Sequence, residues 1–410
     1  MKNQSLRNFA KRYAELVASP AQVQRRALWT AHNSLDFQKP LIYMRAIPYG
    51  EFFDMSVVQS EEPLLRGIET HLAQAVLYQQ LLDDDFTYAP YVTINAVNKN
   101  PAHLRWGLPA ALGEKPMQGG AAMYEPSLVD DEDIAKLIPA PDVIDEEATE
   151  RDRLLIADAI GDILDVHVCR QHTLARMWNM DLSADLAKLR GLETMMWDVY
   201  DNPDFLHRVL TIMQKAVLAA IDATEAAGNY TLAEHQNQAM PYSRELAPPD
   251  CNVKGVKAAD LWGYCAAQEF TAVGLDQFTE FMLDYQKPIL ERFGLSAYGC
   301  CEDLTRKIPA LRSIRNLRRI AVSPFANVRS CAEQIGKDYI LSYRPDPSSM
   351  ISRGLDEDFV RKTMRDAFAA FKDNGCMFDI TLKDVETILG KPDNMIRWVQ
   401  IVREEIDRCY

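Results

Sequence analysis

Short runs of apolar and β-branched residues alternate with helical patterns from about residue 160 to the end of the chain. Such alternation predicts an α/β fold in which helices join the strands of a parallel sheet. The runs lie at residues 163–169, 230–235, 261–269, 295–302, 319–324, 338–343 and 376–382, with two earlier ones at 40–47 and 88–97. About eight or nine such units favour closure into a (β/α)8 TIM barrel; an open doubly wound sheet is the alternative. The nucleotide-binding signatures of the open sheet, G-x-G-x-x-G and G-x-x-x-x-G-K-[ST], are missing.

The segment before the first strand is helical in pattern. Residues 4–31 carry an apolar stripe and restart at Ser19-Pro20. We therefore expect an N-terminal helical extension over residues 1–40 and a single barrel domain over residues 41–410. An acidic, Pro- and Gly-rich stretch at about 99–155 is predicted to be a long excursion from that barrel, with a short helix in it.

The charge of the chain excludes some partners. The formal net charge is −14, whereas nucleic acids and anionic membranes require a basic surface. No window of about 18 apolar residues occurs, and the N-terminus lacks the pattern of a signal peptide. The eight cysteines are scattered through a long chain. We therefore expect a cytoplasmic protein with reduced thiols, without a nucleic-acid or membrane partner; a homodimer stays open.

Reactive residue types recur where the predicted strands end. In a TIM barrel the active site lies at the C-terminal ends of the strands. The residues that meet this condition are His235, Gln268, Glu269, Cys300, Cys301, Glu302, Ser323, Arg344, Asp379, Thr381 and Asp384. The sequence therefore predicts a site built from several strand ends.

The sequence Cys300-Cys301-Glu302 is the most specific of these features. Thiolates and a carboxylate can hold zinc and leave one position open for a substrate oxygen. Because neighbouring strand residues point to opposite faces, both cysteines can bind one ion only if the strand ends at Gly299. Otherwise Cys300 with Glu302, or Cys301 alone, faces the barrel axis. The alternative is two buried thiols, with Glu302 paired to a nearby basic residue.

Three further residues are candidates for catalysis. His235 could bind a metal, act as a general acid, or only orient a loop. Glu269 could supply a ligand or a base, or form a salt bridge on the rim. Arg344 could bind a substrate carboxylate in a bidentate manner, or form a structural ion pair, for instance with Asp346 or Asp303.

The order of several segments resembles the uroporphyrinogen decarboxylase superfamily, and within it the branch near the corrinoid-dependent methyltransferases. The segments are YGCCEDL, RRIAVSPFAN, DYILSYRPDP and LGKPDNMIRWV, with looser support from KRYAELVASPAQVQRRALW and LRGLETMMWDVYDNPDF. The resemblance runs from about residue 160 to the end. It implies a (β/α)8 barrel and a zinc ion that activates a methyl donor or a thiol acceptor. It also implies exchange of the methyl group with a corrinoid (cobalamin) carried by a separate protein.

The chain departs from that family at two positions. The family's His-x-Cys on a strand is replaced by Tyr298-Gly299-Cys300 or Gly299-Cys300-Cys301, and Asp384 falls near the place of a second cysteine. The resemblance therefore implies a harder ligand set: Cys300 or Cys301 with Glu302, joined by His235, Glu269 or Asp384. Such a set suits oxygen-bound methyl donors. The arginine-rich stretch of true uroporphyrinogen decarboxylases is reduced to Arg45, which disfavours tetrapyrrole decarboxylation.

The sequence thus predicts a zinc-dependent methyltransferase. It would move a methyl group from a methoxy compound, such as a phenyl methyl ether, to a corrinoid protein, with the substrate oxygen on the metal. A metal-free decarboxylase or lyase for a carboxylated substrate is the first alternative, with Arg344 and Arg45 as binding residues. A non-catalytic docking partner in a corrinoid system is the second.

Overall fold

The computed structural model describes residues 3–113 and 122–410. Its strands are β1 (Leu41–Met44), β2 (Tyr91–Asn95), β3 (Ala111–Leu112), β4 (Tyr124–Glu125), β5 (Asp165–Cys169), β6 (Trp262–Cys265), β7 (Leu295–Tyr298), β8 (Leu317–Val322), β9 (Ile340–Tyr343) and β10 (Met377–Leu382). Six of them form one parallel sheet in the order β1-β10-β9-β8-β7-β6. A second parallel pair joins β2 to β5, and β3 with β4 forms a short antiparallel hairpin. The parallel sheet that the alternation predicts is confirmed.

Fourteen α-helices occur in the described residues. They are α1 (Gln4–Ala18), α2 (Pro20–Asn33), α3 (Pro63–Leu81), α4 (Glu146–Ile160), α5 (Ser183–Arg190), α6 (Leu192–Asp201), α7 (Pro203–Ala226), α8 (Leu275–Phe278), α9 (Asp284–Leu290), α10 (Ile308–Leu311), α11 (Val328–Ile335), α12 (Pro347–Met350), α13 (Glu357–Asp373) and α14 (Asp393–Cys409). Within residues 3–113 and 122–410, none of them combines the length and apolar composition that a bilayer crossing requires.

The predicted barrel does not close through backbone hydrogen bonds in the part of the chain described. The mixed α/β arrangement is compatible with a TIM-barrel-like fold. Irregular segments, and not strands, lie beside the two edge strands of the large sheet: Asp84 and Asp85 beside β1, and Gln236 beside β6. Beside β1, the carboxylates of Asp84 and Asp85 accept the backbone N–H groups of Met44 and Ile42 at 3.0 and 2.9 Å. Those strand N–H groups are therefore satisfied by side chains, and no neighbouring strand is needed there.

The prediction of a strand at residues 230–235 is wrong. Residues Leu232–Glu234 form a 3-10 turn. The Glu234 carboxylate accepts hydrogen bonds at 2.6 Å from both the backbone N–H and the hydroxyl of Thr231. This reciprocal cap favours a helical turn over an extended strand. The following segment still lies beside β6, since the Gln236 N–H donates to the Trp262 carbonyl at 2.9 Å.

The helical predictions agree with the structure. The apolar stripe of α7 is buried along its length, and the predicted Ser19-Pro20 restart separates α1 from α2, with the Ser19 side chain accepting from the Gln22 N–H. The segment around Pro288 has a π-helical turn at Thr279–Leu283 before α9. Proline lacks an N–H for the carbonyl four residues earlier, and the Gln214 side chain donates instead to the carbonyls of Asp284 and Tyr285.

The predicted excursion at 99–155 contains the β3–β4 hairpin, a 3-10 helix at Asp131–Lys136 and part of α4. Its residues 114–121, which include most of the LGEKPMQGG stretch, lie outside the described residues. The division into an extension over 1–40 and a domain over 41–410 stays a prediction.

The end of α2 covers the N-terminal end of the large sheet. His32 Nε2 lies 3.1 Å from the Asp379 carboxylate on β10. Asn33 accepts a hydrogen bond of 2.8 Å from Arg319 on β8, and Arg319 also donates to Asp379 at 2.6 Å. The Ser342 hydroxyl on β9 completes the contacts of Asp379 at 2.9 Å. We call His32, Asn33, Arg319, Ser342 and Asp379 the basal cluster; all five side chains are buried.

Candidate functional site

The two neighbouring cysteines follow β7 directly after a turn at Gly299. The backbone φ of Gly299 is +94°, and a Cβ atom there would lie 2.5 Å from the Leu304 Cδ1 atom. Only glycine fits this turn without strain. Since β7 ends at Tyr298, the condition under which both cysteines can face one side is met. Their sulfur atoms lie 3.6 Å apart.

The ammonium group of Lys383 lies against both sulfurs. Lys383 follows β10, and its Nζ donates to Cys300 Sγ at 3.3 Å and to Cys301 Sγ at 3.1 Å. The same ammonium pairs with the carboxylate of Asp384, which lies 3.8 Å from Cys301 Sγ. The Lys383 side chain is 8% exposed and that of Asp384 is 54% exposed, so the lysine is buried and the aspartate faces solvent. We call Cys300, Cys301, Lys383 and Asp384 the thiol cluster.

The pKa values of the two thiols are shifted in opposite directions. The hydrogen bond from Cys301, together with the charges of Arg344 and Lys383, lowers the pKa of Cys300 against the effect of burial. The same hydrogen bond, burial and the charge on Cys300 raise the pKa of Cys301. Burial disfavours the charge on Lys383, but Cys300 and Asp384 outweigh it and raise the pKa of Lys383. These shifts favour a negative charge on Cys300, with the protons retained on Cys301 and Lys383.

Two buried charged residues hold the turn that carries the cysteines. Arg344 follows β9 and donates to the carbonyls of Gly299 and Cys300 at 3.1 and 2.7 Å. Glu302 accepts the backbone N–H groups of Cys300 at 2.8 Å and of Ala267 at 2.9 Å. Burial raises the pKa of Glu302. Arg344 makes no salt bridge with a carboxylate in the described ranges, so the structural ion pair with Asp346 or Asp303 is not formed.

An aromatic pocket lies next to this site, at the end of β1. Its volume is about 370 Å³, within the range of small-molecule sites. The walls come from α1, α3, the segment after β1 and the segment between α3 and β2. They include Tyr13, Tyr49, Tyr78, Phe86, Tyr88 and Arg45. The end of β1 adjoins β10, since the Arg45 N–H donates to the Leu382 carbonyl at 3.0 Å. The pocket and the thiol cluster therefore share one edge of the sheet.

Gln238 connects the pocket to Cys300. The backbone carbonyl of Gln238 accepts hydrogen bonds from the Arg45 guanidinium at 3.1 Å and from the Tyr43 hydroxyl. Its side-chain amide donates to the Tyr264 hydroxyl. A hydrogen bond from Gln238 also contributes to the low pKa of Cys300. Gln238 Oε1 and Arg344 Nε are buried without a partner in the described part of the chain.

A loop after β5 covers the other side of the cysteines. Met177 packs against the group that contains Tyr264 and Cys300. The Trp178 ring lies edge-on to Tyr264 with centroids 5.0 Å apart, and Trp178 has a φ of +73°. A left-handed conformation is unfavourable for tryptophan, so packing must hold it there. This loop therefore adds apolar side chains beside Tyr264 and Cys300.

Two of the predicted catalytic residues lie elsewhere on the rim. His235 Nε2 lies 3.0 Å from the Ala247 carbonyl, and its Nδ1 accepts the Trp262 N–H at 3.2 Å. Burial lowers the pKa of His235 to about 4, so it is neutral. These contacts correspond to the predicted alternative of a loop-orienting histidine. The Glu269 carboxylate accepts a hydrogen bond of 2.6 Å from the Ser183 hydroxyl.

The predicted zinc ligands were tested against this geometry. Among residues 3–113 and 122–410, no group of three or more His, Cys, Asp or Glu side chains is placed to hold a metal ion. Glu302 faces backbone N–H groups, and the Lys383 ammonium contacts Cys300, Cys301 and Asp384. A zinc ion shared by these side chains would have to displace that ammonium. The arrangement does not fit zinc, and the ligand set of Cys300, Cys301, Glu302 and Asp384 stays a prediction.

Lys383 was missed in the sequence, although a signal for it exists. Asp379 and Thr381 share one face of β10, and alternation of side chains places Lys383 next on that face. Gln238 carries no such signal because it lies in an irregular segment. The aromatic pocket is also hidden from the sequence, since its walls come from separate helices.

The comparisons with known proteins are sparse. No protein-family model matches the chain, so the resemblance to the uroporphyrinogen decarboxylase superfamily stays a prediction. No curated protein matches it either. Among solved structures, the fold is similar to a methyltransferase from Methanosarcina mazei, with a TM-score of 0.48 and 11% identity over 94% of this chain and 98% of that one. We draw no chemistry from a likeness of that size.

Proposed function

We propose that this chain is a methyltransferase that removes the methyl group of an aromatic methoxy compound. The observation that carries the proposal is the thiolate–ammonium cluster beside an aromatic pocket at one edge of the sheet. The pocket suits an aromatic ring, and Arg45 in its wall suits an anionic substituent on that ring. The methyl acceptor in this proposal is a corrinoid on a partner protein, and no residue of this chain is assigned to hold it.

Lys383 has a defined role in this reaction. When a methyl group leaves an ether oxygen, negative charge develops on that oxygen. A buried ammonium stabilises such charge strongly, because it is fixed in position and shielded from water. Lys383 would therefore do in this chain what zinc was predicted to do from the sequence, and no metal enters the proposed reaction. Metal analysis of the purified active chain tests this, since activity that requires stoichiometric zinc would contradict it.

The test of the proposed function is demethylation in vitro. The purified chain is incubated with a panel of methoxybenzoates and methoxyphenols, with free reduced cobalamin as the methyl acceptor, and methylcobalamin is measured by absorbance. The Lys383→Met variant should lose roughly 100-fold or more in kcat, as expected when a charge-stabilising group is removed. Lys215→Met, at an exposed position of α7, is the matched control and should keep full activity. Equal activity in both variants would contradict the role of Lys383.

A decarboxylase or another lyase reaction on a carboxylated substrate is the second candidate. The exposed face of Arg45 in the pocket favours it, because a guanidinium binds carboxylates. Arg344 is less suited, since it is bonded to the Gly299 and Cys300 carbonyls. Release of carbon dioxide from an aromatic acid, lost in Arg45→Met but not in Lys383→Met, would favour this candidate over methyl transfer.

A further inference from the structure

We infer that Cys300 is a catalytic nucleophile that carries the methyl group as S-methylcysteine between the donor and the acceptor. The inference rests on the proposed function and deepens it. In the reaction predicted from the sequence, the substrate oxygen lies on a metal and the methyl group passes to the corrinoid protein. The geometry points instead to a sulfur atom placed for attack.

The position of Cys300 is fixed from every side. Its carbonyl accepts from Arg344, its N–H donates to Glu302, and its Sγ accepts from the Lys383 ammonium. The residue is 4% exposed. A nucleophile held this firmly loses little entropy when it attacks, which is a large part of what a protein can contribute to such a step.

The charges around Cys300 distinguish it from the other cysteines. Burial raises the pKa of Cys169, Cys251, Cys265, Cys331 and Cys376, which makes these thiols inert. Cys300 lies near two cations, Lys383 and Arg344, and the Lys383 ammonium donates directly to its Sγ at 3.3 Å. Carboxylates also lie near these cations, Asp384 at Lys383 and the buried Glu302 at Arg344. The ammonium in direct contact with the sulfur favours the anionic form of Cys300.

The transfer balances in two steps. In the first, the Cys300 thiolate attacks the methyl carbon, the carbon–sulfur bond forms, and the carbon–oxygen bond breaks with its electron pair on oxygen. The oxygen takes a proton from the Lys383 ammonium and leaves as a phenol. In the second, the acceptor supplies both electrons of its new bond to the methyl carbon, and the pair of the carbon–sulfur bond returns to Cys300. Lys383 then regains a proton from water.

Cys301 differs from Cys300 in this scheme. Its thiol stays protonated and donates a hydrogen bond to the thiolate, which makes the sulfur of Cys300 a better leaving group in the second step. Met177 packs against the apolar group that contains Cys300 and Tyr264, and Trp178 packs on Tyr264, so the surroundings of Cys300 on that side are apolar.

The experiment omits the acceptor. The full chain is incubated with the methoxy panel labelled with deuterium in the methyl group, without cobalamin, and peptides are analysed by mass spectrometry. We expect one labelled methyl group on Cys300, and its disappearance when reduced cobalamin is added. Cys300→Ser should abolish both labelling and turnover. Cys301→Ser is the matched variant and should still be labelled at Cys300.

Methyl iodide provides a readout of the nucleophile that does not depend on the donor. At about pH 6 it should methylate Cys300 faster than any other cysteine, since the thiolate is the reactive form. Lys383→Met raises the pKa of Cys300 toward its usual range, so labelling at about pH 6 should fall and recover at about pH 9. Labelling of Cys300 no faster than that of Cys409 would overturn the inference.

The outcomes separate the inference from the proposed function. Demethylation by the wild-type chain with retained activity in Cys300→Ser would overturn the covalent step and leave the methyltransferase proposal standing. Failure of every panel member to be demethylated, with Cys300 still alkylated by methyl iodide, would overturn the proposed function and the intermediate with it.

Discussion

The basal cluster and the thiol cluster lie at opposite ends of the large sheet, and their charged groups are arranged differently. In the basal cluster one carboxylate, Asp379, meets Arg319, His32 and Ser342, and the charges balance in a fully buried set. In the thiol cluster the single ammonium of Lys383 is shared between one exposed carboxylate, Asp384, and two sulfur atoms. The first arrangement holds its carboxylate in fixed buried contacts. The second places a sulfur atom directly beside a cation, which favours the reactive thiolate form.

The comparison predicts a large difference in stability between two matched substitutions. Asp379→Asn leaves Arg319 buried without its counter-charge and should lower the free energy of unfolding by about 3–5 kcal/mol. Asp384→Asn removes the same charge at an exposed position and should cost less than about 1 kcal/mol. Urea denaturation of the two variants and the wild type measures both values. Equal losses would show that the two clusters do not differ as described.

The turn at Gly299 gives an intermediate effect. Gly299→Ala combines a left-handed backbone with a Cβ atom 2.5 Å from Leu304, and should destabilise the fold by roughly 1–3 kcal/mol. Because the turn positions both sulfurs, methylation of Cys300 should fall as well. Gly354→Ala has a similar backbone φ of +100° and open space around its Cβ position, so it isolates the strain. Similar unfolding curves for the two variants would contradict the steric role of Leu304.

The pH dependence of stability gives the smallest effect. Burial lowers the pKa of His32, against the raising effect of Asp379. The unfolded chain therefore binds a proton below about pH 6.5 that the folded chain refuses, and stability falls as the pH drops through that region. His32→Gln should make the free energy of unfolding less dependent on pH between about 7.5 and 5.5. The exposed His103→Gln is the control, and an identical slope in both variants would contradict this assignment.

The strands from β5 onward were predictable, because each is an apolar run between helices of clear period. The missing strand at 230–235 shows the limit of that reasoning. The segment has the composition of a strand, yet the contact between Thr231 and Glu234 three residues later favours a turn. The sheet does not close beside β1 for a similar reason, since the Asp84 and Asp85 carboxylates accept hydrogen bonds from strand N–H groups. Both differences from the prediction arise where a side chain forms the hydrogen bond that a neighbouring backbone would otherwise form.

The candidate site was predictable in part. Strand ends identified Cys300, Cys301, Arg344 and Asp384, and the structure brings these four together around one turn. Lys383 was accessible through alternation on β10 but not recognised. The contacts of Glu302 could not be derived from the sequence, because its partners are backbone N–H groups of its own turn and of the loop after β6. Every residue except proline has a backbone N–H, so residue types do not show which of these groups a side chain contacts.

The basal cluster also bears on how the chain reaches its folded state. His32 and Asp379 are separated by 347 positions, so the first helices emerge from the ribosome long before their partners on β8 and β10 exist. Until then His32 lacks its carboxylate partner and Asn33 lacks Arg319, although Trp29 already has Tyr43 and the Asp85 carbonyl. Contacts of such long range are slow to form, because the whole intervening chain must first be ordered. We therefore expect the end of α2 to dock late during synthesis, after the earlier part of the N-terminal helices has packed.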